Sequence, residues 1–547
     1  MTYADLAFVG GVVHTVDAVR RRATAVAVRD GRIVAVGHDL GDLIGPRTEV
    51  VDLRGGALIP GFQDAHVHPA FAGSTMLACD LADAADAREA LDRVAAYAAA
   101  HPDREWITGS GWYMEWFPGG TPGCDLLDAV VRDRPVYLTN RDGHGAWVNT
   151  RALSLAGVDA STPDPADGRI ERDSDGAPQG TLHEGAALLV GRLAPRPTPR
   201  ERLGGLLLAQ GHLHSLGITG WQDAIIGSYL GQQDPYDTYL VAARDGLLTA
   251  RVVGALWWDR DRGLEQLPEL LARRAGASEG RFRATTVKIM QDGVAENYTA
   301  GMIEPYLDGC GCQTTNRGLS HVDPAALREY VTALDGQGFQ VHLHAIGDRA
   351  VREALDAIEA ARDHNGPGDR RHHIAHLQVV HPDDIRRFAS LDVAANMQAL
   401  WAAHEPQMDE LTIPFLGPER AGRQYPFAAL RATGAVLAAG SDWAVSSANP
   451  WWGIHVAVNR IAPPGQGPPG AGPLLPGQAL HLGTALAAYT IGSAYVNHLD
   501  RETGTIEPGK LADLALLDRD PFAGPVEEIH ATTVLQTFVG GERVYAR

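Results

Sequence analysis

Residues 59–68 read Ile59-Pro60-Gly61-Phe62-Gln63-Asp64-Ala65-His66-Val67-His68. An apolar run closes on two histidines spaced two apart. Side chains two apart on a strand share a face, so both imidazoles can reach one ion. A lone His-x-His is weak evidence, because two histidines are more often surface or packing residues than ligands. The remaining chain changes that weighting. Apolar runs recur at 217–223, 250–257, 284–290, 339–345, 372–377, 393–398 and 436–442. With 58–66 they number eight, and helical patterns such as 324–337 and 349–362 lie between them. Eight apolar strands alternating with helices predict a parallel α/β barrel of the (β/α)8 TIM type.

Both ends have a different character. Residues 24–28 and 32–36 alternate and flank Asp30-Gly31, a strong hairpin signal. The C-terminal segment repeats this style at 513–517 and 534–539, with a Gly540-Gly541 turn before Val544-Tyr545. Short β segments at both termini predict one small β domain, formed by 1–57 and 500–547, with the barrel spanning 58–499. About 150 residues separate the first two barrel strands, far more than one helix and its loops need. Residues 79–193 therefore read as an inserted subdomain. The Pro- and Gly-rich stretch 462–478 reads as an irregular loop.

Composition narrows the class. The chain has 547 residues, 45% of them hydrophobic, and a formal net charge of −20. Such an acidic chain repels nucleic acid and anionic membrane. Four cysteines in this length make no disulfide scaffold, and Cys310 and Cys312 read as loop thiols. Residues 1–13 lack a basic start and a long apolar run, so no signal peptide is expected. No apolar stretch reaches the ~18 residues a membrane span needs. A cytoplasmic enzyme with a small-molecule substrate is expected, and base rates alone suggest a homodimer.

The strand ends carry the chemistry. Lys288 lies on the fourth strand, His342 and His344 end the fifth, His376 ends the sixth and Asp442 ends the eighth. The carboxyl ends of barrel strands form the active-site face, so these groups converge on one rim. Charged groups are costly to bury unless paired or metal-bound. His344 is preferred over His342 because it is nearer the strand end, and His376 over His372 and His373 for the same reason. Lys288 is either a plain lysine paired with an acid such as Asp292, or a carbamate formed with CO₂ that bridges two ions.

The motifs also resemble a known family. Residues 59–68 look like the opening barrel strand of the amidohydrolase superfamily, and 504–514 resemble its return to the β domain. Asp142-Gly143-His144, Val287-Lys288-Ile289 with Asp292-Gly293, His342-Leu343-His344-Ala345-Ile346-Gly347-Asp348, His373-Ile374-Ala375-His376 and Gly440-Ser441-Asp442-Trp443 are similar to the family-3 branch, which includes N-substituted formamide deformylase. The resemblance runs from about Asp5 to Tyr545. It implies a TIM barrel with a composite β-sandwich and a binuclear site for two divalent metal ions, zinc being the leading choice. His66, His68 and Asp442 would hold the more buried ion. His344 and His376 would hold the second, and carbamylated Lys288 would bridge them.

The expected reaction is hydrolysis of a non-peptide C–N bond by metal-bound hydroxide, with Asp442 shuttling the proton. His144, Asp292, Trp112 and Trp443 are expected at the substrate, with Trp116 and Trp401 as further wall candidates. The competing readings are a mononuclear deaminase, an ester or lactone hydrolase and a non-catalytic scaffold. The deaminase normally has a glutamate a few residues after the fifth-strand histidine. Here Ala345-Ile346-Gly347-Asp348 follows.

Overall fold

The computed structural model describes residues 3–547 apart from 83, 230, 231, 278 and 279. Its largest sheet has eight parallel strands joined in sequence order. They are β1 (Phe62–Val67), β2 (Ile218–Ile226), β3 (Arg251–Trp257), β4 (Phe282–Met290), β5 (Gln340–Ala345), β6 (His373–His376), β7 (Ala394–Met397) and β8 (Leu437–Ala439). Each lies in or overlaps one of the apolar runs. They are buried nearly throughout. That is why they read as continuous hydrophobic segments rather than alternating ones.

The seam between β8 and β1 closes just beyond β8. Asp442 N donates to the His66 carbonyl at 2.8 Å, and His68 N donates to the Trp443 carbonyl at 2.8 Å. Gly440 makes this approach possible. A Cβ there would lie 2.6 Å from both the Cβ and the backbone nitrogen of His66.

Two strands differ from expectation. The run 58–66 is not one strand. Ala57–Pro60 belongs to the terminal β region, antiparallel to Leu514–Leu517, and the barrel begins only at Phe62. Gly61 makes the break: its N–H donates to the Asp513 carbonyl at 2.8 Å, and the Thr219 side chain packs where a Cβ would project. The last strand ends at Ala439, so Asp442 sits in the turn beyond it with φ +58.

The terminal segments form a four-stranded and a six-stranded sheet. Leu6, Phe8 and Val26 of one share a core with Leu58, Leu514 and Phe538 of the other, and the Phe8 and Phe538 rings meet edge to face at 5.0 Å. The Asp30-Gly31 hairpin is present, both residues having positive φ, as a two-residue primed turn requires. Between β1 and β2 a separate six-stranded sheet runs from Cys79–Asp80 to Pro178–Glu184. It has cores of its own around Trp112, Trp147 and Leu182. Among the described residues no helix is long and apolar enough to cross a membrane.

Gly440→Ala should lower stability by about 1–3 kcal/mol, the usual range for overpacking, and should disturb His66. A chemical-denaturation midpoint equal to wild type would contradict this account of the seam.

Candidate active site

The carboxyl ends of β1, β4, β5, β6 and the turn after β8 meet at one rim. Val67 ends β1, so His66 is its last but one residue and His68 caps the helix Pro69–Met76. Asp442 Oδ1 lies 2.9 Å from His68 Nε2 and 3.2 Å from His66 Nε2. Asp442 Oδ2 is 3.9 Å from His376 Nδ1. Ligand atoms of His66, His376 and Asp442 all lie within 4.8 Å of one another. This tightest triad mixes the two ligand sets that the resemblance implies. The rings of His344 and His376 are 4.4 Å apart. His376 and Asp442 both hold positive φ, at +79 and +58. Such strained backbone persists where the surroundings over-determine it.

The donor set fits a divalent metal. Nδ1 of His376, which faces Asp442 Oδ2, is buried without a hydrogen-bond partner, which is costly unless something else satisfies it. Burial holds His66, His344 and His376 well below the ordinary histidine pKa, helped by the Lys288 charge and by neighbouring histidines. A neutral imidazole is the form that ligates metal. Burial alone would raise the Asp442 carboxyl, but the His68 hydrogen bond and the nearby Lys288 charge help to outweigh it and keep it ionised.

Lys288 projects from β4 with its Nζ 3.5 Å from His342 Nε2. Burial pushes its pKa down to about 7, against the opposing pull of Asp442. Asp292 is not its partner, nor does it line the cavity. It is fully buried behind His344, with Oδ1 3.0 Å from His344 Nδ1. It also accepts the backbone N–H groups of Gly301, Ile346 and Gly347 at 2.9–3.0 Å. Asp292 therefore orients the histidine rather than meeting a substrate. His344 lines the cavity, whereas His342 lies below it against His66. Asp348 is engaged elsewhere, accepting the Ile303 N–H at 2.8 Å.

Above the rim is a cavity that, with the open solvent at its mouth included, encloses about 1240 Å³. Its apolar wall includes Phe71, Ile225, Trp257, Met290, Trp401 and Val445. Trp401 stacks on His376, ring centroids 5.3 Å apart and planes 3° from parallel. The other tryptophans are placed differently from expectation. Trp112 is buried in the core of the insertion against Phe117 and Trp147, with its Nε1 donating to the Leu138 carbonyl. Trp116 packs on Tyr113. Trp443 turns away from the cavity onto His212, ring centroids 4.8 Å apart. The loop 462–478 contributes no lining residue among the described ones. Cys310 and Cys312 are exposed free thiols.

His144 does line the cavity, its ring 6.0 Å from that of His344. Glu184 grips it, with Oε1 and Oε2 3.1 and 3.0 Å from Nδ1, and the Thr299 hydroxyl donates to Glu184 at 2.9 Å. Burial would lower the imidazole pKa, but the Glu184 charge and hydrogen bond raise it to about 9. Glu184 itself is held at about 2, despite burial, by the same pair. Sequence reasoning missed Glu184, because a carboxylate at the end of an insertion strand carries no motif that points to His144.

Replacing the Asp292 carboxyl should loosen His344. Asp292→Asn is expected to lower zinc affinity about 10–100-fold, the range seen when such supporting groups are lost. Chelator competition reading an unchanged affinity would refute that role.

Comparison with known proteins agrees with this geometry. Residues 49–545 match the family described as "Amidohydrolase family". The chain is 32% identical over 552 residues to "Protein LONG AFTER FAR-RED 3" of Arabidopsis thaliana, covering 99% of this chain and 92% of that one. It is 28% identical over 566 residues to "N-substituted formamide deformylase" of Arthrobacter pascens, covering 99% and 98%. A solved structure, an uncharacterized metal-dependent hydrolase from Pyrococcus horikoshii, superposes with a TM-score of 0.73 at 26% identity, covering 95% of this chain and 99% of that one.

Proposed function

This chain belongs to the amidohydrolase family, and from that premise we propose that it hydrolyses a non-peptide C–N bond in a small N-formyl or N-acyl compound with an apolar substituent. One observation carries the reading. Four imidazoles and one amine, from the ends of the four strands β1, β4, β5 and β6, line the floor of a cavity with an apolar wall together with Asp442. The formamide deformylase relative supports the bond type, and the wall of Phe71, Trp257 and Trp401 supports the substituent.

His66, His68 and Asp442 would hold one divalent ion, and His344 and His376 a second. Lys288 would bridge them as a carbamate. Its pKa of about 7 leaves much of the amine neutral at physiological pH, and the neutral amine is the form that adds CO₂. Imidazole and carboxylate donors suit zinc, and also iron, manganese or nickel. When bound, the ions would acidify water toward neutrality and polarise the substrate carbonyl.

The chain's own residues perform the remaining work. Asp442 is ionised and sits between His66 and His68. It takes the proton of the attacking water and delivers it to the leaving nitrogen. His144, kept cationic by Glu184, donates a hydrogen bond to the substrate oxygen as negative charge develops. The apolar wall binds the substituent and excludes bulk water.

Asp442→Asn is expected to lower kcat by at least about 100-fold, and near-normal turnover would sink the shuttle. Benzyl-substituted formamides and acetamides should be turned over with higher kcat/KM than their methyl counterparts, and faster than the matching esters. Preference for the esters would overturn the C–N reading. The donor form of His144 exists below its pKa of about 9. Activity should therefore fall as pH rises through that value. In Glu184→Gln, without the charge that raises the imidazole, the falling limb should move to lower pH. A limb that stays in place would remove His144 from the mechanism.

A further inference from the structure

Beneath the ligand cluster lies a buried set of polar side chains that the proposed chemistry does not use. Its hydrogen bonds run in one direction only. Gln340 Nε2 lies 2.8 Å from the Arg371 carbonyl oxygen and 2.7 Å from that of Val496. Carbonyl oxygens only accept, so this nitrogen is the donor and Gln340 Oε1 the acceptor. Gln340 Oε1 receives the Thr286 hydroxyl at 2.7 Å and Gln222 Nε2 at 3.2 Å. Gln222 Nε2 also donates to Asn497 Oδ1 at 3.3 Å.

Gln222 thus turns its own Oε1 toward two histidines. It accepts from His342 Nδ1 at 2.7 Å and from His373 Nε2 at 3.1 Å. His373 agrees independently. Its Nδ1 accepts from Asn396 Nδ2 at 3.1 Å, and that amide is oriented by the Ala65 carbonyl at 2.9 Å.

With its proton on Nδ1, the neutral His342 ring has only a lone pair at Nε2. His66 Nδ1 lies 2.9 Å from that lone pair and Lys288 Nζ 3.5 Å from it. His66 must then donate from Nδ1, which leaves its own lone pair on Nε2. That lone pair faces Asp442 Oδ1 at 3.2 Å. Two acceptors confront each other, and a cation between them relieves the conflict.

We propose that Gln222 and His342 are positioning residues that fix His66 in its Nδ1–H tautomer, so that the Nε2 lone pair is aimed at the metal before the metal arrives. The inference rests on His66 and Asp442 being ligands, as proposed above. Without the Gln222 acceptor, His342 is free to carry its proton on Nε2. His66 then accepts at Nδ1 and donates from Nε2 to Asp442. A proton occupies the place of the ion, and metal binding has to displace it. The usual arrangement puts a carboxylate or backbone carbonyl behind a ligating histidine. Here a second histidine does this, and an amide sets its polarity.

The test is ¹⁵N NMR of histidine-labelled, metal-stripped full-length protein, with His66 and His342 assigned by their loss in His66→Gln and His342→Gln. Both rings are expected as Nδ1–H tautomers. Finding His66 as Nε2–H in the wild-type protein would overturn the proposal. Zinc affinity by chelator competition gives the second readout. His342→Gln keeps an acceptor near the place of Nε2 and should stay within about threefold of wild type, whereas His342→Leu should lose about 10–100-fold. Equal losses in the two would mean that His342 only fills space, and would also overturn it. Wild type with His66 as Nδ1–H but no zinc binding would uphold the tautomer order and overturn the ligand reading instead.

Discussion

Asp442 stands where the barrel closes. Its backbone N–H bonds the His66 carbonyl, and its carboxylate lies 2.9 Å from His68 Nε2 and 3.2 Å from His66 Nε2. The seam and the site are therefore one structure. A first strand shifted by one residue would turn His66 and His68 to the opposite face. A Cβ at position 440 would push the seam apart. Everything proposed about ligands and proton transfer depends on this junction holding its geometry.

A barrel core this buried should not tolerate so many polar groups, since burying one without a partner costs free energy. The protein meets the cost in two ways. Below the rim, Gln222, Gln340, His342, His373 and Asn396 satisfy one another through oriented amides. At the rim, His376 Nδ1 has no partner. That division separates the structural layer from the chemical one. The Glu184–His144 pair brings an imidazole from the insertion to the cavity, so the inserted sheet takes part in the site rather than merely covering it.

Much of this was legible in the chain because barrel strands are buried on both faces and stand out as apolar runs. The strand-end histidines, Lys288 and Asp442 were legible because polar residues at the ends of such runs have few structural reasons to be there. The division at Gly61 was not legible. Residues 57–67 are uniformly buried, and burial alone does not reveal that the chain passes from one sheet to another. The placements of Trp112 and Trp443 failed for a related reason. Neighbourhood in sequence did not give ring direction, and each ring found a different ring partner away from the cavity. Asp292 was read as a substrate contact, although its three backbone N–H partners come from loops that fold onto it only in three dimensions. Glu184 carries no local signal, since its partner lies 40 residues away, in the bend before another strand.

Lys288 and the rim residues would form a two-ion centre bridged by a carbamate. The most direct measurement is metal per chain, on protein purified without chelator, combined with intact mass under non-acidic conditions. The account predicts about two ions per chain and an added mass equal to CO₂, with both the added mass and the second ion lost in Lys288→Ala. About one ion per chain with no added mass would contradict it and leave Lys288 an ordinary buried amine.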